Sequence, residues 1–142
     1  MANLIYNSFK KELMDGTIGD MTSVAIKIAL VTSSYTPNQD THTRYSDITN
    51  ELSTGSGYTS GGATLASKTV TQDNTDNEGV FDAADVTWSS SSLTARGAVV
   101  YKDTGTPSTS PLICYFDFGA DYTSSSGNFT IQFNSEGIIN LT

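Results

Sequence analysis

From residue 63 onward the chain alternates short β-prone runs with polar turn clusters at intervals of about ten residues. The runs fall near 63–71, 79–88, 93–102, 111–118, 128–133 and 137–141. Between them lie Asp73-Asn74-Thr75-Asp76-Asn77, Ser89-Ser90-Ser91-Ser92, Thr104-Gly105-Thr106-Pro107 and Ser124-Ser125-Ser126-Gly127. Gly, Asn, Asp and Ser supply the backbone freedom and local hydrogen bonds that turns need. This spacing leaves no room for crossover helices, which argues against a parallel α/β fold. It predicts a mainly β protein, an antiparallel β-sandwich. A jelly-roll-like order is the preferred form, although an immunoglobulin-like sandwich gives the same pattern.

Upstream, Val24-Ala25-Ile26-Lys27-Ile28-Ala29-Leu30-Val31 is the clearest strand. Val24, Ile26, Ile28 and Leu30 fall on one face, and the small Ala25 and Ala29 fall with Lys27 on the other. Residues 3–15 read as a short N-terminal helix, because Ile5, Phe9 and Leu13 recur every fourth position. Asn3 is the expected cap and Asp15-Gly16 the expected stop, with Lys10, Lys11 and Glu12 on the polar side. So short a helix must dock on something, either its own sheet or a neighbouring subunit. Residues 32–62 hold Pro37, a polar run and four glycines. They read as a long connection with a short helical turn near Tyr45 to Leu52, and such connections often carry function.

The length, 142 residues, suits one domain over 1–142. The net charge of −8 argues against nucleic acid, which needs clustered Lys and Arg, and against anionic membrane surfaces. The opening residues lack the apolar core of a signal peptide, and no stretch reaches the ~20 apolar residues of a membrane span. The expectation is synthesis in the cytosol. The triplets at Asn128 and Asn140 are then chance glycosylation matches. Cys114 is the only cysteine, and within Leu112-Ile113-Cys114-Tyr115-Phe116 it reads as a buried thiol.

Chemistry is thin. His42, the only histidine, sits in the polar connection, and no Gly-x-Ser-x-Gly elbow accompanies it. No Cys/His spacing suits zinc. Asp73 to Gly79 is rich in oxygen ligands, yet Glu78 stands where a calcium loop needs glycine; calcium in the turn and a solvated hairpin turn both stay open. Asp82 with Asp85, and Asp117 with Asp121, are the close carboxylate pairs. Trp88, Tyr101, Tyr115 and Phe116 could form a sugar platform, but at strand spacing they read as core. No catalytic residue, cofactor or metal is expected.

Several stretches resemble a family of small tailed-phage and prophage proteins. They are Ala2-Asn3-Leu4-Ile5-Tyr6-Asn7-Ser8-Phe9-Lys10-Lys11-Glu12-Leu13-Met14-Asp15-Gly16, Ile28 to Pro37, Tyr58 to Leu65, Ala95 to Gly105 and Gly127 to Phe133. The resemblance implies a non-enzymatic virion structural protein, most like a capsid cement or decoration protein. Its expected partners are the major capsid protein and itself, as a dimer or trimer, with neither nucleic acid nor membrane. Its expected location is the capsid surface. A minor tail or head-fibre component with affinity for host carbohydrate is the alternative. The candidate assembly contacts are Ile5, Phe9 and Leu13 on the helix, and Tyr35, Tyr45 and Tyr58 on the 32–62 arm.

Overall fold

The computed structural model describes residues 2–142 and is mainly β, with antiparallel sheets and one short α-helix. The largest sheet holds β1 (Leu4–Ile5), β8 (Leu112–Thr123), β7 (Thr94–Lys102), β2 (Ile26–Val31) and β3 (Ala63–Thr64), in that spatial order. A second sheet is ordered β10 (Ile139–Leu141), β5 (Glu78–Asp82), β4 (Thr69–Asp73). A third pairs β6 (Val86–Ser91) with β9 (Gly127–Ile131). The strands thus divide five, three and two. A jelly roll shares eight strands between two sheets.

The centre of the large sheet is β2 against β7, with Ile28 opposite Val100 and Leu30 opposite Ala98. Ile26, Ile28 and Leu30 are fully buried, as the alternation requires. They join side chains of β6, β9, β5 and β10, among them Trp88, Phe129, Phe81 and Ile139, in the main core. Each such Ile or Leu contributes roughly 1.5–3 kcal/mol by leaving water. The large sheet therefore packs one face against the two smaller sheets, in the manner of a sandwich.

Its other face is covered too. Ala29, Val31, Val99, Tyr101, Leu112 and Tyr115 form a second cluster with Tyr6 and Tyr35. Tyr45 and Ile48 close over it, and the Tyr45 ring stacks on Tyr101 at 4.3 Å and 13°. The 32–62 connection is thus a lid on the sheet. It has only a 3-10 turn at Tyr45–Asp47 where a turn of helix was expected near Tyr45 to Leu52. Ala29 has the small side chain that lets this lid lie close.

The helix, α1, spans Asn7–Met14 and is shorter than expected. Asn3 does not cap it. Instead its side-chain carbonyl accepts the Asp117 N–H at 2.8 Å, and Leu4 and Ile5 pair with Tyr115 and Cys114. The edge of β8 claims these residues, so Tyr6 becomes the cap and Ile5 leaves the helix. The stop at Asp15 is as expected, with Gly16 at φ +85°. Phe9 is buried and Leu13 packs on the core, so α1 docks within its own chain. Glu12 is buried rather than solvated: its carboxylate meets Arg44 of the lid at 2.7 Å.

Two expected strands are each broken in two. The run 63–71 becomes β3 and β4, and 79–88 becomes β5 and β6. Both breaks lie where the chain changes sheet, and Ala84 N–H bonds Ala66 C=O across the two crossings at 2.9 Å. The Asp73–Asn77 turn closes the β4–β5 hairpin as expected, with Asn77 left-handed at φ 59°.

Candidate functional site: a neutral groove between two splayed strands

The polar side chains with chemical potential are mostly spent on the fold. Glu51 accepts the Tyr58 hydroxyl and the Gly61 N–H, both at 2.7 Å, on one oxygen and the Tyr45 hydroxyl on the other. The Tyr58 hydroxyl in turn accepts the Leu30 N–H at 3.0 Å. Burial first, then the Glu51 carboxylate, push the Tyr45 and Tyr58 phenols well above their ordinary range. The carboxylate ties the lid together, and the Tyr58 hydroxyl ties it to β2.

His42 is tied the same way. The Asn38 N–H points at its Nδ1 at 3.3 Å, so Nδ1 is an acceptor and the Tyr35 hydroxyl, 3.0 Å away, donates to it. The Tyr6 hydroxyl then donates to Tyr35 at 2.8 Å. Burial pushes Tyr35 up to about 12 and Tyr6 higher still. Phenols held neutral in a relay of this kind are structural donors.

The carboxylate pairs are divided among separate duties. Asp85 accepts the Phe133 N–H at 2.9 Å, and Asp117 holds Arg96 at 2.9 Å and Gly119 N–H at 2.8 Å. Asp73, Asp76 and Glu78 bring carboxylate oxygens within 4.8 Å of one another. Asp73 there closes the turn by accepting the Thr75 N–H at 2.7 Å, and Glu78 accepts from the Asn140 amide. Trp88, Tyr101 and Tyr115 are core residues. Cys114 is fully buried, and burial alone drives its thiol far up.

The six candidate contact residues prove to be packed within the chain. Phe9, Tyr35 and Tyr58 are at most 4% exposed. Ile5, Leu13 and Tyr45 are half-buried against the two clusters. As surface contacts Phe9, Tyr35 and Tyr58 are corrected by this burial: docking them elsewhere would require opening the core.

The open surface lies elsewhere. β8 and β9 are joined by Ser124–Ser126 but do not pair, because β8 pairs with β7 and β9 with β6. A buried serine cluster sits at this exchange. Ser124 Oγ meets Ser91 Oγ at 2.8 Å and accepts the Leu93 N–H at 3.0 Å, while Ser91 Oγ donates to Gly127 C=O at 3.1 Å. The two turns are locked together, so the strands leaving them are drawn to different sheets.

The wedge between β8 and β9 is a groove of about 410 Å³. β8 contributes Phe118, Tyr122 and Thr123; residues 128–132 form the opposite wall. β8 carries extra residues between Asp117 and Tyr122, where β7 advances only from Ala95 to Gly97. The bulge turns at Gly119, φ +80°, and is braced by Arg96 on Asp117. It places Phe118 edge-on to Tyr122 at 6.2 Å and near Phe129 at 6.4 Å. Tyr122 is 56% exposed. None of the lining residues is charged, in a chain of net charge −8. β9 pairs with β6 only, so its second edge faces the groove with no backbone partner among the described residues.

This site was invisible to reasoning on strand spacing. The Ser124–Gly127 cluster reads as an ordinary hairpin turn, and only the distant Ser91 shows that the hairpin is split. The faint signal was Phe118-Gly119 inside a β run, since glycine there often marks a bulge.

No family model, curated protein or solved structure matches the chain. No helix among the described residues is long and apolar enough to cross a membrane.

Proposed function

We propose that this chain is a non-catalytic virion structural protein that decorates a capsid shell, and that it docks through the β8–β9 groove. The observation that carries the docking role is the unpaired β9 edge lying beside the exposed Tyr122 ring and the half-buried Phe118. An extended segment of the shell protein laid along β9 would satisfy its free N–H and C=O groups. Its alternate side chains would meet Phe118, Tyr122 and Phe129. The virion setting rests on the sequence resemblance. A large sheet covered on both faces suits a load-bearing part, and decoration stabilises a shell by mass action.

The test is copy number. Particles are purified, heads are separated from tails, and this chain is quantified against the major capsid protein by mass spectrometry. A ratio near one, or a simple fraction of it, in heads is expected. Presence only with tails, or absence from particles, sinks the proposal. Tyr122→Ser is expected to reduce binding to shells lacking this protein by on the order of tenfold, with Tm unchanged, because the ring is a solvent-facing anchor.

A second reading has its own support in the same groove. Asn128, Thr130, Gln132 and Thr123 set neutral amides and hydroxyls around the aromatic rings. That pattern also suits an uncharged sugar, as a minor tail or head-fibre component would need. Chemical-shift changes confined to the groove on titration with neutral oligosaccharides would favour it.

A further inference from the structure

β4 is the most exposed regular strand of the fold. Thr69, Val70, Thr71 and Gln72 are all exposed, Val70 by 55%. β4 pairs with β5 alone, and its outer edge has no backbone partner among the described residues. Proteins usually blunt such an edge with proline, a central lysine or a bulge. β4 has none of these: its register runs unbroken from Thr69 opposite Asp82 to Asp73 opposite Glu78. The hairpin is also charged lengthwise. Lys68 stands at its root, held by the Val24 carbonyl and offset by Asp82 opposite Thr69, while Asp73, Asp76 and Glu78 crowd its tip.

We propose that β4 is the self-association edge of this protein. Two copies pair their β4 strands antiparallel about a two-fold axis normal to the sheet, merging two three-stranded sheets into one. The exposed Val70 in an unbroken strand selects a like strand as occupant, and the charge pattern selects the direction. Antiparallel pairing sets each acidic tip beside the near-neutral root of the other copy, where Lys68 stands, whereas parallel pairing sets tip against tip. The two-fold places Val70 or Thr71 on the axis, and it keeps equivalent faces on the same side. With Val70 on the axis, that side chain, 55% exposed in the single chain, meets its own copy across the seam. This goes beyond the docking reading, since a chain can dimerise whatever its groove holds.

Sedimentation of the full chain over a concentration series is expected to reach twice 15.1 kDa. Val70→Lys/Thr71→Lys sets like charges face to face at either axis position. It is expected to return the mass to 15.1 kDa with Tm unchanged. Tyr122→Ser, in the groove, is expected to leave the dimer intact. A wild-type chain that stays monomeric at every concentration overturns the proposal, as does a dimer that survives the double lysine variant or is lost in Tyr122→Ser. Val70→Cys and Thr71→Cys, made separately, give a second readout independent of the lysine variant. Cys114 is fully buried, so oxidation should yield a covalent dimer through whichever residue lies on the axis, and failure of both to cross-link overturns the β4 seam.

Discussion

Single residues with no freedom to change lie where the lid meets β2. Gly62 has φ +79°, and a side chain there would put Cβ 1.9 Å from the Ile28 carbonyl oxygen. Backbone cannot yield as a flexible side chain can. Gly62→Ala is therefore expected to cost about 2–4 kcal/mol, read from denaturant unfolding. The Glu12–Arg44 pair makes a second case. Glu12 is 7% exposed at its side chain, and one of its oxygens has no partner even with Arg44 in place. Arg44→Ala should destabilise by about 3 kcal/mol, because it leaves a buried charge alone. Adding Glu12→Leu should recover much of that loss, and a double-mutant cycle measures the coupling. Neither position is conspicuous in the sequence. Glu12 sits among Lys10 and Lys11 like any solvated helix residue, and its burial comes from an arm that returns thirty residues later.

Among elements, legibility followed strand length and locality. β2 and β7 are plain in the alternation of Ile26 to Val31 and Thr94 to Lys102, since both bury at least one whole face. β1 is only two residues long, and its Ile5 mimics a helical repeat with Phe9 and Leu13. The split of 79–88 turns on Asp82-Ala83-Ala84-Asp85, which has neither proline nor glycine to announce it. The lid was legible as a long connection, but its tyrosines looked like external contacts because nothing local shows a sheet face waiting for them. The groove depends on the serine lock, which joins turns more than thirty residues apart. Ser124→Ala strands the Leu93 N–H and weakens the lock. The expected cost is about 1–3 kcal/mol, with hydrogen exchange rising first at Ser91 to Leu93 and Ser124 to Gly127.

For the whole molecule, two sets of titrating groups bound the stable pH range. The Asp15 carboxyl is lowered to about 2 from 3.8 by its bonds from Thr17. Asp20, Asp103 and Asp117 are lowered by Thr22, Gly105 and Arg96 respectively. Folded values below the unfolded one mean that this stability is complete above about pH 4 and fades as pH falls toward 2. The phenols act in the opposite sense. Tyr6, Tyr35, Tyr45, Tyr58 and Tyr101 are all raised above 10.0, chiefly by burial. Their stability is complete below pH 10 and fades above it, the Tyr35 share being lost as pH climbs through about 12 and the others at higher pH. Unfolding above pH ~10 is thus expected to coincide with a cooperative rise in tyrosinate absorbance. Gradual, independent titration of these phenols with the fold intact would contradict the buried network.

The pairing of β2 with β7 also governs when folding can begin. Ile28 waits for Val100, and β1 waits longer still, for Cys114 and Tyr115. During synthesis the first two-thirds of the chain therefore emerges with its most apolar strand unpartnered. Of its strand pairs, only the β4–β5 hairpin and the short β2–β3 contact lie wholly within that stretch. A nascent chain halted before β7 holds an exposed Ile-Ala-Leu-Val edge, a natural client for chaperones and a seed for aggregation. Release of the full chain should be followed by folding on a scale of milliseconds to seconds, as non-local β topology dictates.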